Sequence, residues 1–243
     1  VRLMADHGAV ALQHRGNRSP APQIRCAWTS PRVALRLVRL TVCGPDGDTQ
    51  PLSDDHHVCV CNGELYNAPV LLPSADLQAQ GDCAALLAVL RAAAADESPS
   101  SSPSGLVSSS APEHATAARV LRASQRLSGE FAFVLLDRQA NVVCGCRDPL
   151  GVKPLFVARV RTQPDASPMW MFVSEMKALP ASAPDLHPSL RSASIERVWQ
   201  VPAGGVVAVR AGSAALGEPL VLAPATPLYD APDCLDSKLR SLK

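Results

Sequence analysis

The sequence predicts an α+β fold built mostly from antiparallel sheets. Strand-like runs outnumber helical runs and come in pairs separated by short turns, which is the pattern of hairpins. Helical runs stand between blocks of strands and do not alternate with single strands, which argues against a doubly wound parallel sheet. No repeat with a period of about 20–50 residues is visible, so a solenoid or a propeller is not expected.

The predicted strands are short runs rich in Val, Leu and aromatic residues. They are Val33–Val42, Val58–Cys61, Phe131–Asp137, Val142–Cys146, Pro154–Val160, Met169–Ser174, Trp199–Val201 and Gly205–Arg210. Phe131–Asp137 and Val142–Cys146 predict one antiparallel pair around Arg138–Asn141. The next two runs predict a second pair. The dipeptide Asn62-Gly63 after Val58–Cys61 is a hairpin-like turn signal.

Three stretches have helical spacing. Met4–Gln13 is typical of the end of a helix, Cys83–Ala95 has an apolar stripe with Asp82 as its N-cap, and Thr116–Leu127 continues the pattern. Between the last two, Ser98–Ser110 holds 8 serines among 13 residues and predicts a flexible surface insertion. The sequence loses periodicity after residue 217, so we expect a domain over residues 1–217 and a linker over 218–243.

Composition excludes several classes of protein. The 243 residues are 47% hydrophobic and 19% charged, which is typical of a folded chain and not of a disordered one. Lys and Arg number 23 against 22 Asp and Glu, so neither a nucleic acid nor an anionic membrane surface is an expected partner. No apolar run reaches the roughly 20 residues of a membrane span.

The 8 cysteines lie mostly in apolar, strand-like runs. We expect reduced, buried thiols of an intracellular protein rather than a disulfide framework. A zinc site formed by Cys59-x-Cys61 and Cys144-x-Cys146 is the less favoured alternative, because structural zinc sites use wider spacing on turns. His56-His57 is interpreted as a loop pair, and no metal site is predicted.

The segment Asn62-Gly63-Glu64-Leu65-Tyr66-Asn67 could carry chemistry. An Asn amide followed by a Gly backbone N–H can present two donors to one point, as an oxyanion hole requires. Glu64 could pair with a substrate ammonium. The plainer interpretation is a turn with a solvent-exposed acid. Elsewhere, Arg147-Asp148 can brace a loop, and Ser174 could cap a helix that begins at Glu175.

Taken together and in order, the motifs are specific. They are His14-Arg15-Gly16, Arg39-Leu40-Thr41-Val42, Gln50-Pro51-Leu52, Asn62–Asn67, Gly81-Asp82-Cys83, Gly129-Glu130-Phe131-Ala132-Phe133, Arg147–Phe156, Ser174–Leu179 and Pro202-Ala203-Gly204. The chain resembles the class II glutamine amidotransferase domain of the asparagine synthetases, an N-terminal nucleophile hydrolase, and similarly the asparagine synthetase domain-containing proteins. The resemblance implies a four-layer αββα sandwich of two mostly antiparallel sheets.

The resemblance also implies a reaction. An N-terminal Cys attacks the side-chain amide of L-glutamine with its own α-amine as the base, and a γ-glutamyl thioester forms. The ammonia passes to a synthetase domain in cis, which activates aspartate with ATP and Mg. The parent would be a cytoplasmic glutamine-hydrolysing asparagine synthase. The glutaminase domain itself needs no cofactor, and a homodimer is compatible with this assignment.

Six residues match glutamine contacts of the family. Arg39 matches the clamp on the α-carboxylate, and the backbone of Val42 matches a contact to the amine. Glu64 and Asp82 match the acids that hold the ammonium. Asn62 and Gly63 match the oxyanion hole. Arg147, Asp148 and Gly151 are expected to be scaffold residues, and Lys177 is expected to be structural or solvated.

The chain departs from the family at its nucleophile. Only 13 residues precede His14, and the first cysteine is Cys26, so we expect the opening strand and its Cys upstream of Val1. Asn17-Arg18 replaces the usual Pro-Asp, and Gly81 and Cys43-Gly44 are also unusual.

No Ser-Gly-Gly-Leu-Asp-Ser ATP-pyrophosphatase loop occurs in the sequence. The favoured interpretation is therefore the glutaminase half of an asparagine synthetase-like protein. A non-catalytic glutamine-binding or structural domain is the alternative.

Overall fold

The computed structural model describes residues 24–29, 33–38, 50–72, 74, 81–96, 111–180, 190–212 and 218–223, with the backbone alone for 24–29 and 36–38. The strands are β1 (Ile24–Thr29), β2 (Ala34–Val38), β3 (Leu52–Ser53), β4 (His57–Leu65), β5 (Gly129–Asp137), β6 (Val142–Arg147), β7 (Phe156–Arg161), β8 (Met169–Val173), β9 (Ser194–Gln200), β10 (Val206–Arg210) and β11 (Leu220–Leu222). The helices are α1 (Ala68–Leu71), α2 (Ala85–Ala95) and α3 (Pro112–Ser124), with 3₁₀ turns at Asp82–Ala84 and Met176–Ala178.

The strands form two main sheets. One has six strands in the order β11-β10-β6-β5-β4-β3, and the other has three in the order β8-β7-β9. Strands β1 and β2 form a separate hairpin. Every pairing is antiparallel. The predicted α+β class with antiparallel sheets is confirmed.

One face of the six-stranded sheet is covered by α2 and α3. Side chains alternate between the two faces of a strand, so every second residue of β4, β5 and β6 points to the helices. The buried members of this core on those strands are Cys59, Cys61, Leu65, Phe131, Phe133, Leu135, Val142, Cys144 and Cys146. Phe131 and Phe133 stack with ring centroids 5.9 Å apart. On the helices, Leu86, Leu90 and Val120 are fully buried against them.

The opposite face packs on the three-stranded sheet. Val134 and Leu136 of β5 belong to one cluster with Val157 of β7, and Phe172 and Trp199 pack against it. The two sheets approach so closely that a Cβ on Gly145 would lie 2.6 Å from the Phe172 ring. The described residues therefore form a helical layer, a six-stranded sheet and a three-stranded sheet, stacked in that order.

Polar contacts fix α3 to the six-stranded sheet. Arg210 of β10 donates two hydrogen bonds to Glu113, at 2.9 and 2.8 Å. The hydroxyl of Thr116 donates to Asp137 at 3.2 Å, and Arg119 lies 3.7 Å from the same carboxylate. Asp137 is only 3% exposed, and it also accepts a hydrogen bond from the Ala140 N–H. A buried carboxylate with three partners ties the helix, the strand and the β5–β6 turn together.

Several sequence predictions are confirmed with shifted bounds. The predicted Phe131–Asp137 and Val142–Cys146 hairpin corresponds to β5 and β6, and the second predicted pair corresponds to β7 and β8. The helix predicted over Cys83–Ala95 is a 3₁₀ turn followed by α2. The predictions for Met4–Gln13 and Ser98–Ser110 fall outside the described residues.

Three predictions about turns and boundaries are wrong. Asn62-Gly63 is not a turn, because β4 continues to Leu65 and pairs with β5 along its whole length. Leu220–Leu222 pairs with β10, so the sheet extends beyond the domain boundary predicted at residue 217. The turn at Met176–Ala178 follows Glu175 and not Ser174, with no side-chain cap. Within the described part of the chain, no helix is long and apolar enough to cross a membrane.

The helix-facing core predicts the cost of one truncation. Phe133 is 1% exposed, so Phe133→Ala should lower the free energy of unfolding by about 3–5 kcal/mol. Val70 is 86% exposed, and Val70→Ala should change it by less than about 0.5 kcal/mol. Urea denaturation followed by circular dichroism measures both. Equal effects from the two substitutions would contradict this packing.

Candidate active site

The candidate site lies at the end of β4, where a polar and a charged residue, Asn62 and Glu64, follow the apolar ones. The alternation that turns Cys59 and Cys61 to the helices turns Asn62 and Glu64 to the opposite face, between the two sheets. Their partners in register on β5 are Ala132 and Glu130. The strand pairing therefore brings both predicted site residues to one end of the inter-sheet space.

The side-chain amide of Asn62 has an unusual environment. Its Nδ2 is buried, and no group among the described residues accepts a hydrogen bond from it. A buried donor without an acceptor costs about 1–3 kcal/mol, and most proteins avoid it. Such a donor is available to an acceptor brought by a ligand.

Gly63 is required by its neighbours as well as by its backbone conformation. Its φ is +147°, and a Cβ there would lie 1.9 Å from the carbonyl oxygen of Glu130. Gly129, on β5, has a φ of +159°, and its Cβ would lie 2.1 Å from the carbonyl oxygen of Glu64. The two strands thus approach each other closely at the site, and both contact positions need glycine.

Asp82 lies beside the same strand end. Its Oδ2 accepts a hydrogen bond of 2.6 Å from the backbone N–H of Leu65. The predicted N-cap role is wrong, since Asp82 lies within the 3₁₀ turn and neither Gly81 nor Ala84 makes a side-chain cap. The Asp82 carboxylate bonds to the backbone of β4 instead. This bond places Asp82, which is predicted to bind the substrate ammonium, next to Glu64.

Negative charge accumulates around this strand end. Glu64 and Glu130 are directly opposite each other, and Glu130 pairs with Lys153 at 3.4 Å. Tyr66, at the exposed end of the strand, is affected by the negative charge of these carboxylates. Desolvation, together with the charge and hydrogen bond of Glu130 and the charge of Glu64, raises its pKa. Opposed carboxylates favour a cationic ligand between them.

Arg147 and Asp148 build the loop that follows β6. Arg147 is 6% exposed and donates to the carbonyls of Lys153 (2.8 Å), Val201 (2.7 Å) and Gly151 (2.5 Å). Desolvation lowers its pKa, against the charge of Asp148, which raises it.

The carboxylate of Asp148 accepts from three backbone N–H groups, those of Leu150, Val152 and Lys153. Both side chains bond to the backbone, and a Cβ on Gly151 would lie 2.8 Å from the Arg147 guanidinium. The prediction that Arg147, Asp148 and Gly151 are scaffold residues is confirmed.

Five cysteines are described with their side chains, and all are free and buried: Cys59, Cys61, Cys83, Cys144 and Cys146. Burial raises the pKa of Cys59 and Cys144 well above its usual range and that of Cys146 to about 12. For Cys61 a hydrogen bond to Cys83 and burial both raise the pKa. Neutral, enclosed thiols are poor nucleophiles. Among the described residues, no group of three or more His, Cys, Asp or Glu side chains is placed to hold a metal ion.

Two of the six predicted glutamine contacts, Arg39 and Val42, fall outside the described residues. The structure brings the other four to one place. The predicted loop pair His56-His57 is wrong for His57, which is the first residue of β4, is 6% exposed and places its Nδ1 3.1 Å from Asp54. Lys177 is half exposed and pairs with Glu175 at 3.0 Å.

Sequence reasoning gave no role to Glu130, Lys153 or Gln50. Glu130 and Lys153 lie within quoted motifs, but only the strand register shows that Glu130 is opposite Glu64, and only the folded chain brings Lys153 to 3.4 Å from Glu130. Gln50 is 9% exposed and bonds to Cys61 through both atoms of its amide. Gln50 stands within the quoted motif Gln50-Pro51-Leu52, but its partner Cys61 lies 11 positions further along the chain, so no local pattern indicates the contact.

The arrangement has two chemical capacities. A buried amide donor beside a glycine backbone can stabilise charge developing on an oxygen. The carboxylates of Glu64 on β4 and Asp82 beside it can hold an ammonium. A ligand with a carbonyl at one end and an amino group at the other fits both.

The chain belongs to the glutamine amidotransferase domain family, whose model matches residues 37–181, more than half of the 243 residues. It is similar to the asparagine synthetases.

A probable glutamine-hydrolysing asparagine synthetase of Schizosaccharomyces pombe is 28% identical over 179 residues, which are 71% of this chain and 26% of that protein. Asparagine synthetase 1 of Bacillus subtilis is 27% identical over 164 residues, 64% of this chain and 21% of that protein. The chain thus spans about a quarter of the length of these relatives or slightly less.

Among solved structures, the fold is similar to glutamine phosphoribosylpyrophosphate amidotransferase from B. subtilis. The TM-score is 0.50 at 17% identity, covering 85% of this chain and 44% of that one. This likeness concerns the fold alone. It supports the predicted sandwich of two antiparallel sheets.

Two glycines offer a matched test of the close approach at the site. Gly63→Ala should lower the free energy of unfolding by about 3 kcal/mol or more, because its Cβ meets backbone that cannot move aside. Gly81 has a φ of +91° with nothing within 4 Å of a Cβ, so Gly81→Ala should cost only the conformational strain of about 1–3 kcal/mol. Urea unfolding compares them. A Gly81→Ala variant less stable than Gly63→Ala would refute the close contact of β4 and β5.

Proposed function

We propose that this domain binds L-glutamine at the end of β4 and hydrolyses its side-chain amide, releasing glutamate and ammonia. The observation that carries the proposal is the buried Nδ2 of Asn62 beside Gly63, a donor for which the described residues provide no acceptor. A buried donor without an acceptor is unfavourable, and a substrate oxyanion would satisfy this one. The proposal extends the family assignment to this particular site.

In the proposed complex, the glutamine ammonium lies between Glu64 and Asp82. Asp82 keeps its bond to Leu65 through Oδ2, which leaves Oδ1 for the ligand. Arg39 holds the α-carboxylate through its guanidinium fork, and the Val42 backbone adds a contact to the amine. The side-chain amide then points to Asn62 and Gly63.

In the proposed reaction, a cysteine at the N-terminus of the mature protein attacks the amide carbon. The five described cysteines are excluded because they are buried and, where a shift is resolved, their pKa is raised. The C–S bond forms as the carbonyl electrons move to oxygen, where the Asn62 amide and the Gly63 N–H receive the charge. The oxyanion then re-forms the carbonyl as the C–N bond breaks, and the α-amine passes the thiol proton to the departing nitrogen, which leaves as ammonia. Water then hydrolyses the thioester to glutamate and regenerates the thiol.

We also propose the wider setting. The similarity to asparagine synthetases suggests that the ammonia is consumed in the cytoplasm by a synthetase domain in cis, at a site that uses ATP and Mg to activate aspartate. A second candidate is a domain that binds glutamine without hydrolysing it. The exclusion of the five described thiols as nucleophiles is the observation that favours it.

Glutamine should stabilise the folded domain through Asp82. At one hundred times its Kd, glutamine raises the free energy of unfolding by about 2.7 kcal/mol, because it binds only the folded state. Asp82→Asn should abolish this protection while keeping the basal stability, since the amide oxygen can still accept from Leu65. Thermal unfolding with and without L-glutamine measures the effect.

Asp82→Ala serves as a control that loses both the charge and the bond to Leu65, and it should also lower the basal melting temperature. The specificity control is glutaramate, which is glutamine without its α-amino group. Equal protection of the wild type by glutaramate would overturn the assignment of the ammonium site.

Substitution of Asn62 should change the rate of glutamine hydrolysis and not the stability of the fold. Asn62→Ala removes an unpaired buried donor, so the melting temperature should stay the same or rise slightly. In the full-length protein, kcat for glutamate release should fall about 10²–10³-fold. An enzyme-coupled glutamate assay decides between the two candidates. Glutamine protection without any glutamate release by the wild type would favour the binding domain.

A further inference from the structure

The outer edge of β4 is completed by side chains instead of a strand. β3 pairs with β4 only at Cys59 and Val58, so the strand neighbour ends two residues before Cys61. In an antiparallel ladder, alternate residues direct both their N–H and their C=O to the same side. Cys59, Cys61, Gly63 and Leu65 therefore all present their backbone groups to this edge.

The side-chain amide of Gln50 extends the hydrogen-bond ladder to Cys61. Its Nε2 donates to the Cys61 carbonyl at 3.1 Å, and its Oε1 accepts from the Cys61 N–H at 2.8 Å. A primary amide has the same donor and acceptor as a peptide group, so it replaces a strand residue here. The side chain is buried, which makes both bonds costly to lose.

Beyond Cys61, two residues of the 3₁₀ turn bond to the backbone groups at this edge. The Cys83 thiol lies 3.8 Å from the Gly63 carbonyl oxygen, to which it donates, and Asp82 accepts from the Leu65 N–H. The backbone N–H of Gly63 belongs to the same edge and lies between the Cys61 carbonyl, which Gln50 holds, and the Gly63 carbonyl, which Cys83 holds. It is one of the two donors proposed for the oxyanion, and Asn62 is the residue directly after Cys61.

We infer that Gln50 is a positioning residue for the oxyanion donors. By holding both backbone groups of Cys61, it fixes the strand where the Asn62 amide and the Gly63 N–H must converge. The inference rests on the proposed function of this site. Donors that act on charge formed in the transition state affect kcat, whereas ground-state binding of glutamine through its amino-acid end sets KM.

Gln50→Glu tests this with a pH-dependent switch. The protonated acid reproduces the donor and acceptor of Gln50, but the ionised acid cannot donate to the Cys61 carbonyl and repels it. Burial raises the pKa of a carboxyl above its ordinary value of about 4.3, so the change should fall in an accessible range. In the full-length protein at about pH 8, kcat for glutamate release should fall roughly tenfold to a hundredfold with KM unchanged.

On acidification, the ratio of variant to wild-type kcat should rise for Gln50→Glu and stay flat for the matched control Gln50→Ala. A ratio that stays flat for both variants, or a loss confined to KM, overturns the inference. If the ionised variant unfolds, Gln50→Ala alone must show the kcat loss at constant KM. Without that loss, the inference fails.

A second readout does not depend on catalysis. In the 243-residue chain, the NMR resonances of the Asn62 side-chain amide should shift in both variants and return to wild-type positions only for Gln50→Glu at low pH. Unmoved Asn62 resonances overturn the inference. Wild-type protein that releases no glutamate overturns the proposed hydrolysis but leaves this test of positioning intact.

Discussion

The register between β4 and β5 is the constraint on which the rest of the site depends. The two strands pair without a break from His57 opposite Asp137 to Leu65 opposite Gly129. A slip of one residue would turn the cysteines of β4 away from the helices and carry Asn62 and Glu64 into the core. Gly63 and Gly129 fix the register, because a side chain at either position would collide with the partner backbone. Fold and site are therefore specified by the same contacts.

Around these paired strands, charged and amide side chains hold the strand ends through hydrogen bonds to the backbone. Asp148 gathers three backbone N–H groups of the loop after β6, and its own N–H donates to the Phe131 carbonyl at 2.8 Å. Arg147 ties that loop to the segment before β10 through Val201. On the other side, Gln50 and Asp82 act on β4. The polar atoms of these four side chains bond to the backbone, whereas Asn62 Nδ2 finds no acceptor among the described residues.

The sequence predicted the hairpins β5–β6 and β7–β8 and the helix α2, because their apolar periodicity is local and strong. It failed where long-range pairing overrides a local signal. Asn62-Gly63 is a good turn dipeptide, yet β5 keeps it extended and uses the glycine for close approach. Asp82 is a good N-cap residue, yet a partner 17 positions earlier takes its carboxylate. The short strand β11 has little periodicity and exists only because β10 offers it an edge. Motif order picked out four residues, Asn62, Gly63, Glu64 and Asp82, that the fold brings to one strand end, but contacts such as that of Gln50 with Cys61 depend on tertiary placement.

The buried thiols have a consequence for how the protein behaves toward reagents in solution. The sequence contains 8 cysteines, but five of them are enclosed between the sheet and the helices or the 3₁₀ turn. Under native conditions those five do not react with alkylating agents or aromatic disulfides. A thiol titration of the folded protein therefore counts at most three cysteines of this chain. Denaturation releases the others together, which makes the difference between the two counts a direct measure of how much of this core is folded.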